Sequence, residues 1–101
     1  MSKVLKISEI QEVIQEIGSR YGADRVYLFG SYARGDATSE SDVDLRIDRG
    51  SIKGLSMGGF LLDIEEALGK NVDLLSTKCL NSDFLSSIKN EEILLYARQG
   101  L

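Results

Sequence analysis

The chain has 101 residues, 43% of them hydrophobic and 28% charged, which is the size and balance of one soluble globular domain spanning residues 1–101. The net charge of −4 argues against a nucleic-acid surface, which needs clustered Lys and Arg. With no histidine present, Ser-His-Asp and Cys-His catalysis and His-based zinc sites are excluded, leaving carboxylates, hydroxyls, Lys, Arg or a hard metal to carry any chemistry. No apolar run approaches a membrane span, and the opening MSKVLKISEI lacks the apolar core of a signal peptide. The single Cys79 has no internal disulfide partner, so the expected setting is cytoplasmic with a reduced thiol.

Proline is absent and glycine supplies the punctuation. Ser8-Glu9-Ile10-Gln11 fits a capping box with Ser8 as N-cap, and Ile10, Val13, Ile14 and Ile17 recur at helical spacing, so a helix is expected near Ser8–Tyr21 with Gly22 as its stop. Arg25–Phe29 reads as a short buried strand. Asp42–Asp48 reads as a second strand, with Val43, Leu45 and Ile47 on one face and Asp42, Asp44, Arg46 and Asp48 on the other. Arg46 and Asp48 are expected to be supporting or solvent-exposed residues.

The stretch Gly50–Gly59 is expected to be a flexible connection rather than a mobile lid. Phe60, Leu61, Ile64, Ala67 and Leu68 mark another helix, closed by Gly69 and Lys70. Val72–Leu75 is a third strand, and Phe84, Leu85 and Ile88 indicate a helix beginning after Asn81 or Ser82. Glu92–Tyr96 fits an edge strand better than further helix. The order points to an α/β (α+β) fold, a small mixed β-sheet of three to five strands packed with helices. Tyr27, Phe29, Phe60 and Phe84 fall at core positions.

Asp42 and Asp44, two apart on a strand, point the same way. Such a pair repels itself unless a cation or proton lies between, and Mg²⁺ suits two carboxylates supplemented by substrate phosphates. Asp73 lies in so short and apolar a strand that it should face a polar site. Alone, these acids fit a solvated sheet face better than a metal site. The preceding segment shifts the balance: Gly30 lets backbone approach a ligand closely, and if Ser31 begins a short helix its N–H groups and hydroxyl favour phosphate. Arg34 could neutralise phosphate or simply pair with Asp36.

Phe29-Gly30-Ser31, ten residues, then Asp42-Val43-Asp44-Leu45 resembles the signature of the DNA polymerase β-like nucleotidyltransferase superfamily, and Val72-Asp73-Leu74 resembles its third acid. The resemblance spans about Tyr27–Leu75. Gly30-Ser31-Tyr32-Ala33-Arg34-Gly35 with Ser41–Leu45 looks most like the minimal nucleotidyltransferase branch, stand-alone domains of about this length often encoded beside a HEPN-domain protein as antitoxin and toxin.

The resemblance implies the nucleotidyltransferase fold. It also implies Asp42 and Asp44 as paired metal ligands, and Asp73 as a third acid that shares a metal and helps deprotonate the incoming hydroxyl. Gly30 and Ser31 would be the phosphate-holding pair. The implied cofactors are Mg²⁺, two ions, with ATP or another nucleoside triphosphate as substrate. The implied reaction is transfer of a nucleoside monophosphate to a hydroxyl with loss of pyrophosphate, here on a HEPN-type toxin. Polynucleotide and membrane partners are not expected, and homo-oligomerisation stays open. The small size keeps an alternative, a non-catalytic antitoxin that neutralises its partner by contact.

Overall fold

A computed structural model describes residues 3–100 of the chain. Helix α1 (Ile7–Tyr21) begins one residue earlier than expected and is capped differently. Its N-cap is Lys6, whose N–H donates to Glu9 Oε1 at 2.9 Å, and the second carboxylate oxygen of Glu9 takes Lys3 Nζ at 3.2 Å. The ionised Glu9 is the stronger acceptor for a free helix-end N–H than the neutral Gln11 amide, so the reciprocal cap forms around Glu9 rather than around Ser8 and Gln11. These bonds hold the Glu9 carboxyl below its ordinary range, the backbone bond from Lys6 first and that from Lys3 second. Gly22, with φ +82°, ends the helix and donates to Gly18 O at 3.0 Å.

Strand β1 (Arg25–Phe29) runs directly into a five-residue helix, α2 (Gly30–Arg34). A loop then leads to β2 (Val43–Asp48), helix α3 (Gly54–Leu68) and β3 (Val72–Ser76). A 3₁₀ turn at Thr77–Cys79 follows, then α4 (Ser82–Ile88), whose Asn81 cap accepts the Phe84 N–H at 2.8 Å, and finally β4 (Ile93–Ala97). The last segment is indeed an edge strand.

The expected loop at Gly50–Gly59 is half helix, since α3 starts at Gly54. Three glycines in its first two turns oppose helix formation by about 1 kcal/mol each on propensity alone. Tertiary packing overrides this. Phe60 and Ile64 are completely buried, Ile52 is buried just ahead of the helix, and Tyr21 packs its ring edge-on to Phe60 at 5.3 Å. Tyr21 Oη also donates to Asp63 at 2.6 Å, and a side chain at Gly59 would crowd that hydroxyl at 3.1 Å.

The sheet order is β3-β2-β1-β4, with β1 antiparallel to both β2 and β4 and β2 parallel to β3 through the α3 crossover. Val26, Leu28, Val43, Leu45, Ile47 and Val72 form one sheet face and bury against Ile10, Ile14 and Ile17 of α1 and Phe60, Ile64 and Leu68 of α3. Two helices therefore cover one face, and the polar residues of β2 occupy the other. Of the four aromatics expected in the core, Phe60 and Phe29 are buried, while Tyr27 and Phe84 are half-buried. Phe84 seats α4 over the end of β1 by meeting Phe29 edge-on at 5.8 Å.

Of the two expectations for Arg46, supporting or solvent-exposed, the structure shows the first, because the residue is only 8% exposed. Its guanidinium stacks 3.9 Å above the Tyr27 ring, grips both oxygens of Glu92 at 3.0 and 2.8 Å, and donates to Thr77 Oγ1 at 2.9 Å. The pair joins β2, the 3₁₀ turn and the start of β4. Removing one member leaves the other charge desolvated and unpaired, so Arg46→Ala should lose about 3–5 kcal/mol in denaturant melts. The double variant Arg46→Met/Glu92→Met should recover most of that loss, and a double variant as weak as the single one would contradict this account.

Candidate active site

The polar face of β2 is where the predicted site residues meet. Asp44 lies opposite Phe29 across the antiparallel β1 pairing and opposite Asp73 across the parallel β3 pairing. Residues directly opposite on adjacent strands send side chains to the same face, so Asp44 and Asp73 become neighbours although 29 positions apart in the chain. Asp42 sits immediately before β2 and is exposed, as is Asp73, whereas Asp44 is half-buried. Burial first, then the charge and hydrogen bond of Asp73, then the charge of Asp42, push the Asp44 carboxyl up to about 6, against a weaker pull from Arg34. Carboxylates that raise one another's proton affinity also raise one another's demand for a cation.

Gly30 opens α2 with φ +75°, and a Cβ there would fall on Asp44 Oδ2. Both facts require glycine: the left-handed backbone is costly for L residues, and the space already belongs to the carboxylate. Ser31 follows in the first turn of α2, half-buried, and its carbonyl closes the helix by accepting the Gly35 and Asp36 N–H groups at 3.0 Å each. Gly30 and Ser31 thus lie beside the acidic residues, as the spacing suggested. Arg34 lies at the other end of α2, half exposed. Its Nε donates to Asp36 at 3.3 Å and its Nη1 to both oxygens of Glu91 at 3.3 and 3.4 Å.

Glu91 is the residue that sequence reasoning missed. Its Oε2 accepts the Gly30 N–H at 2.7 Å. Nothing in the local sequence marks it, because it arrives 61 positions after Gly30, carried there by the pairing of β4 with β1. Arg46 was visible as a polar strand position, but its partner Glu92 was not.

Among the described residues, no three acidic, histidine or cysteine side chains are gathered as a complete metal cage. The donor set nevertheless fits Mg²⁺, a hard cation that is commonly held by one or two carboxylates and completes its shell with phosphate oxygens and water. Asp44 and Asp73 supply adjoining hard oxygens, and the absent Cβ of Gly30 leaves room for the Asp44 carboxylate to sit against the backbone at the start of α2.

The sequence model of the Polymerase beta, Nucleotidyltransferase family matches residues 11–100, and the chain belongs to that family. It is a nucleotidyltransferase of the minimal branch. The protein adenylyltransferase MntA of Thermococcus cleftensis is 33% identical over 95 residues, covering 89% of this chain and 96% of the relative. A solved structure of a candidate minimal nucleotidyltransferase, 32% identical, superposes with a TM-score of 0.75 over 86% of this chain and 90% of that one. The MNT antitoxin and tri-AMPylated HEPN toxin complex of Shewanella oneidensis contains a chain of the same fold, with TM-score 0.67 and 16% identity over 94% of this chain and 75% of that one. The four-stranded mixed sheet is thus the nucleotidyltransferase fold. No helix among the described residues is long and apolar enough to cross a membrane.

Two outcomes follow for the cation-free protein. An acid whose folded pKa is raised favours the folded state while protonated; that contribution is complete below the unfolded value of about 4 and disappears as pH rises through about 6. Asparagine cannot ionise, so the melting temperature of Asp44→Asn minus that of the wild type should grow between pH 4 and 7 in chelator. It should shrink again when Mg²⁺ is added, and a gap independent of pH would contradict the burial and like-charge account. Gly30→Ala should lose about 1–3 kcal/mol in urea melts from its strained φ, with the collision against Asp44 adding to the loss.

Proposed function

We propose that the protein transfers AMP from ATP, with Mg²⁺, to a hydroxyl of a HEPN-type partner and thereby acts as an antitoxin. The observation that carries this reading is the register placing Asp44 beside Asp73 with the side-chain-free Gly30 against Asp44. The MntA relative and the AMPylated toxin complex support the choice of adenylyl transfer and of a protein acceptor.

In this reading Asp42 and Asp44 hold the metal and Asp73 shares it. Two Mg²⁺ ions held by these acids would supply charge neutralisation for the phosphates and the developing charge of the displacement. The Gly30 N–H and the Ser31 hydroxyl donate to the triphosphate, and the Arg34 guanidinium offsets its charge. Asp73, the more exposed acid, receives the proton of the acceptor hydroxyl, for which a tyrosine of the partner is one choice. The hydroxyl oxygen bonds to the α-phosphorus, the bond from that phosphorus to the bridging oxygen breaks, and pyrophosphate leaves. Nucleotide and acceptor must come from opposite sides for an in-line displacement, and the open polar face of the sheet permits that approach.

Incubation with the partner, labelled ATP and Mg²⁺ should label the partner. Asp42→Asn/Asp44→Asn should reduce transfer by about 100-fold or more, the equivalent of several kcal/mol of lost charge stabilisation. Equal transfer by wild type and double variant would overturn the assignment. A folded double variant that no longer transfers label but still neutralises its partner would replace enzymatic inactivation by inhibition through contact.

A further inference from the structure

The Glu91 carboxylate occupies the position that the proposed function assigns to a phosphate oxygen. Oε2 accepts the Gly30 N–H at 2.7 Å, and both carboxylate oxygens lie within 3.4 Å of Arg34 Nη1. One side chain therefore takes both the Gly30 backbone donor and the guanidinium that acts on Asp44. The contact is built in rather than casual. The Glu91 side chain is 22% exposed, less than half the exposure of Arg34. The N–H groups of Glu91 and Glu92 both donate to Ile88 O at 3.0 Å, and Glu92 is clamped by Arg46. Phe84 on Phe29 seats the preceding helix α4.

The Gly30 N–H has one hydrogen to give, and a second anion brought close to Glu91 would be repelled by it, so a phosphate that takes this donor must displace Glu91. We propose that Glu91 is a specificity-determining residue of the nucleotide site: it is an internal anion that competes with phosphate at Gly30 and Arg34. It yields to a triphosphate whose charge is compensated by a divalent cation, and it excludes AMP and free phosphate. This inference rests on the reading of Gly30–Ser31 as the phosphate-holding turn. The competition is for binding and not for chemistry, so its effect falls on affinity.

Glu91→Gln removes the charge while its amide oxygen can still accept from the Gly30 N–H. Calorimetry with a non-hydrolysable ATP analogue and Mg²⁺ should show the variant binding about tenfold more tightly than wild type, the change produced by 1.4 kcal/mol. AMP and inorganic phosphate should give measurable heats only with the variant. A merely structural role would weaken binding or leave it unchanged; either result, with wild type binding the analogue, overturns the proposal while leaving the phosphate-holding reading intact.

Should neither protein bind the analogue, the phosphate-holding reading falls and this proposal with it. A readout that needs no substitution is the ¹³C resonance of the Glu91 carboxylate in labelled wild type. Saturation with the Mg²⁺-bound analogue should move it to the position of a solvated glutamate, and a resonance unmoved at saturation equally overturns the proposal.

Discussion

The period-two alternation of β2 is the constraint on which the site depends. Val43, Leu45 and Ile47 are buried completely under α1 and α3, and the backbone then has no choice but to send Asp44, Arg46 and Asp48 to the opposite face. A slip of one residue would bury those charges and expose three aliphatic side chains, so the apolar face fixes the register of the charged one. The two helices that supply the core thereby hold the carboxylates in place without touching them.

Charge on that face is divided along the strand. Towards the C-terminal end, Arg46 pairs with Glu92, stacks on Tyr27 and reaches Asp48 at 3.6 Å, so its charges are largely compensated within the protein. At the N-terminal end Asp44 adjoins Asp73 and feels the charge of Asp42, and burial first and these two acids next push its carboxyl up to about 6 against the pull of Arg34. The compensated end builds structure. The uncompensated end stores repulsion that a cation would relieve, and the proposed function uses that to let a chain of net charge −4 take a polyanionic substrate.

The edge strand has a second task besides completing the sheet. Pairing β4 with β1 delivers the Glu91–Glu92 turn to the polar face, where the adjacent acids go to different cations: Glu92 to buried Arg46, Glu91 to exposed Arg34 and the Gly30 amide. Burial separates their roles. The first pair is shielded from water, whereas the second is partly exposed, so that solvent screens it.

Much of this was legible in one dimension. Local pattern located β1, β2, β3, α1, α4 and the second half of α3, because alternation and helical spacing follow from how side chains leave the backbone, and left the last segment between edge strand and helix with strand preferred. Gly30-Ser31 and Asp42-x-Asp44 could be read as one site because they flank two strands joined by a single loop. What only the tertiary structure decided was held by long-range contacts. Packing of Phe60 and Tyr21 carried α3 through glycines that locally oppose helix. Pairing across the sheet decided between the two expectations for Arg46, making it a buried supporting clamp and not a solvent-exposed residue, and placed Glu91 on the Gly30 N–H. The sequence by itself determined which residues could bear the chemistry, since side-chain type and local spacing are properties of the chain. Which of them are buried, paired or free was settled only by the fold, because desolvation and partnership depend on neighbours that the chain brings from far along its length, Asp73 from 29 positions beyond Asp44 and Glu91 from 61 beyond Gly30.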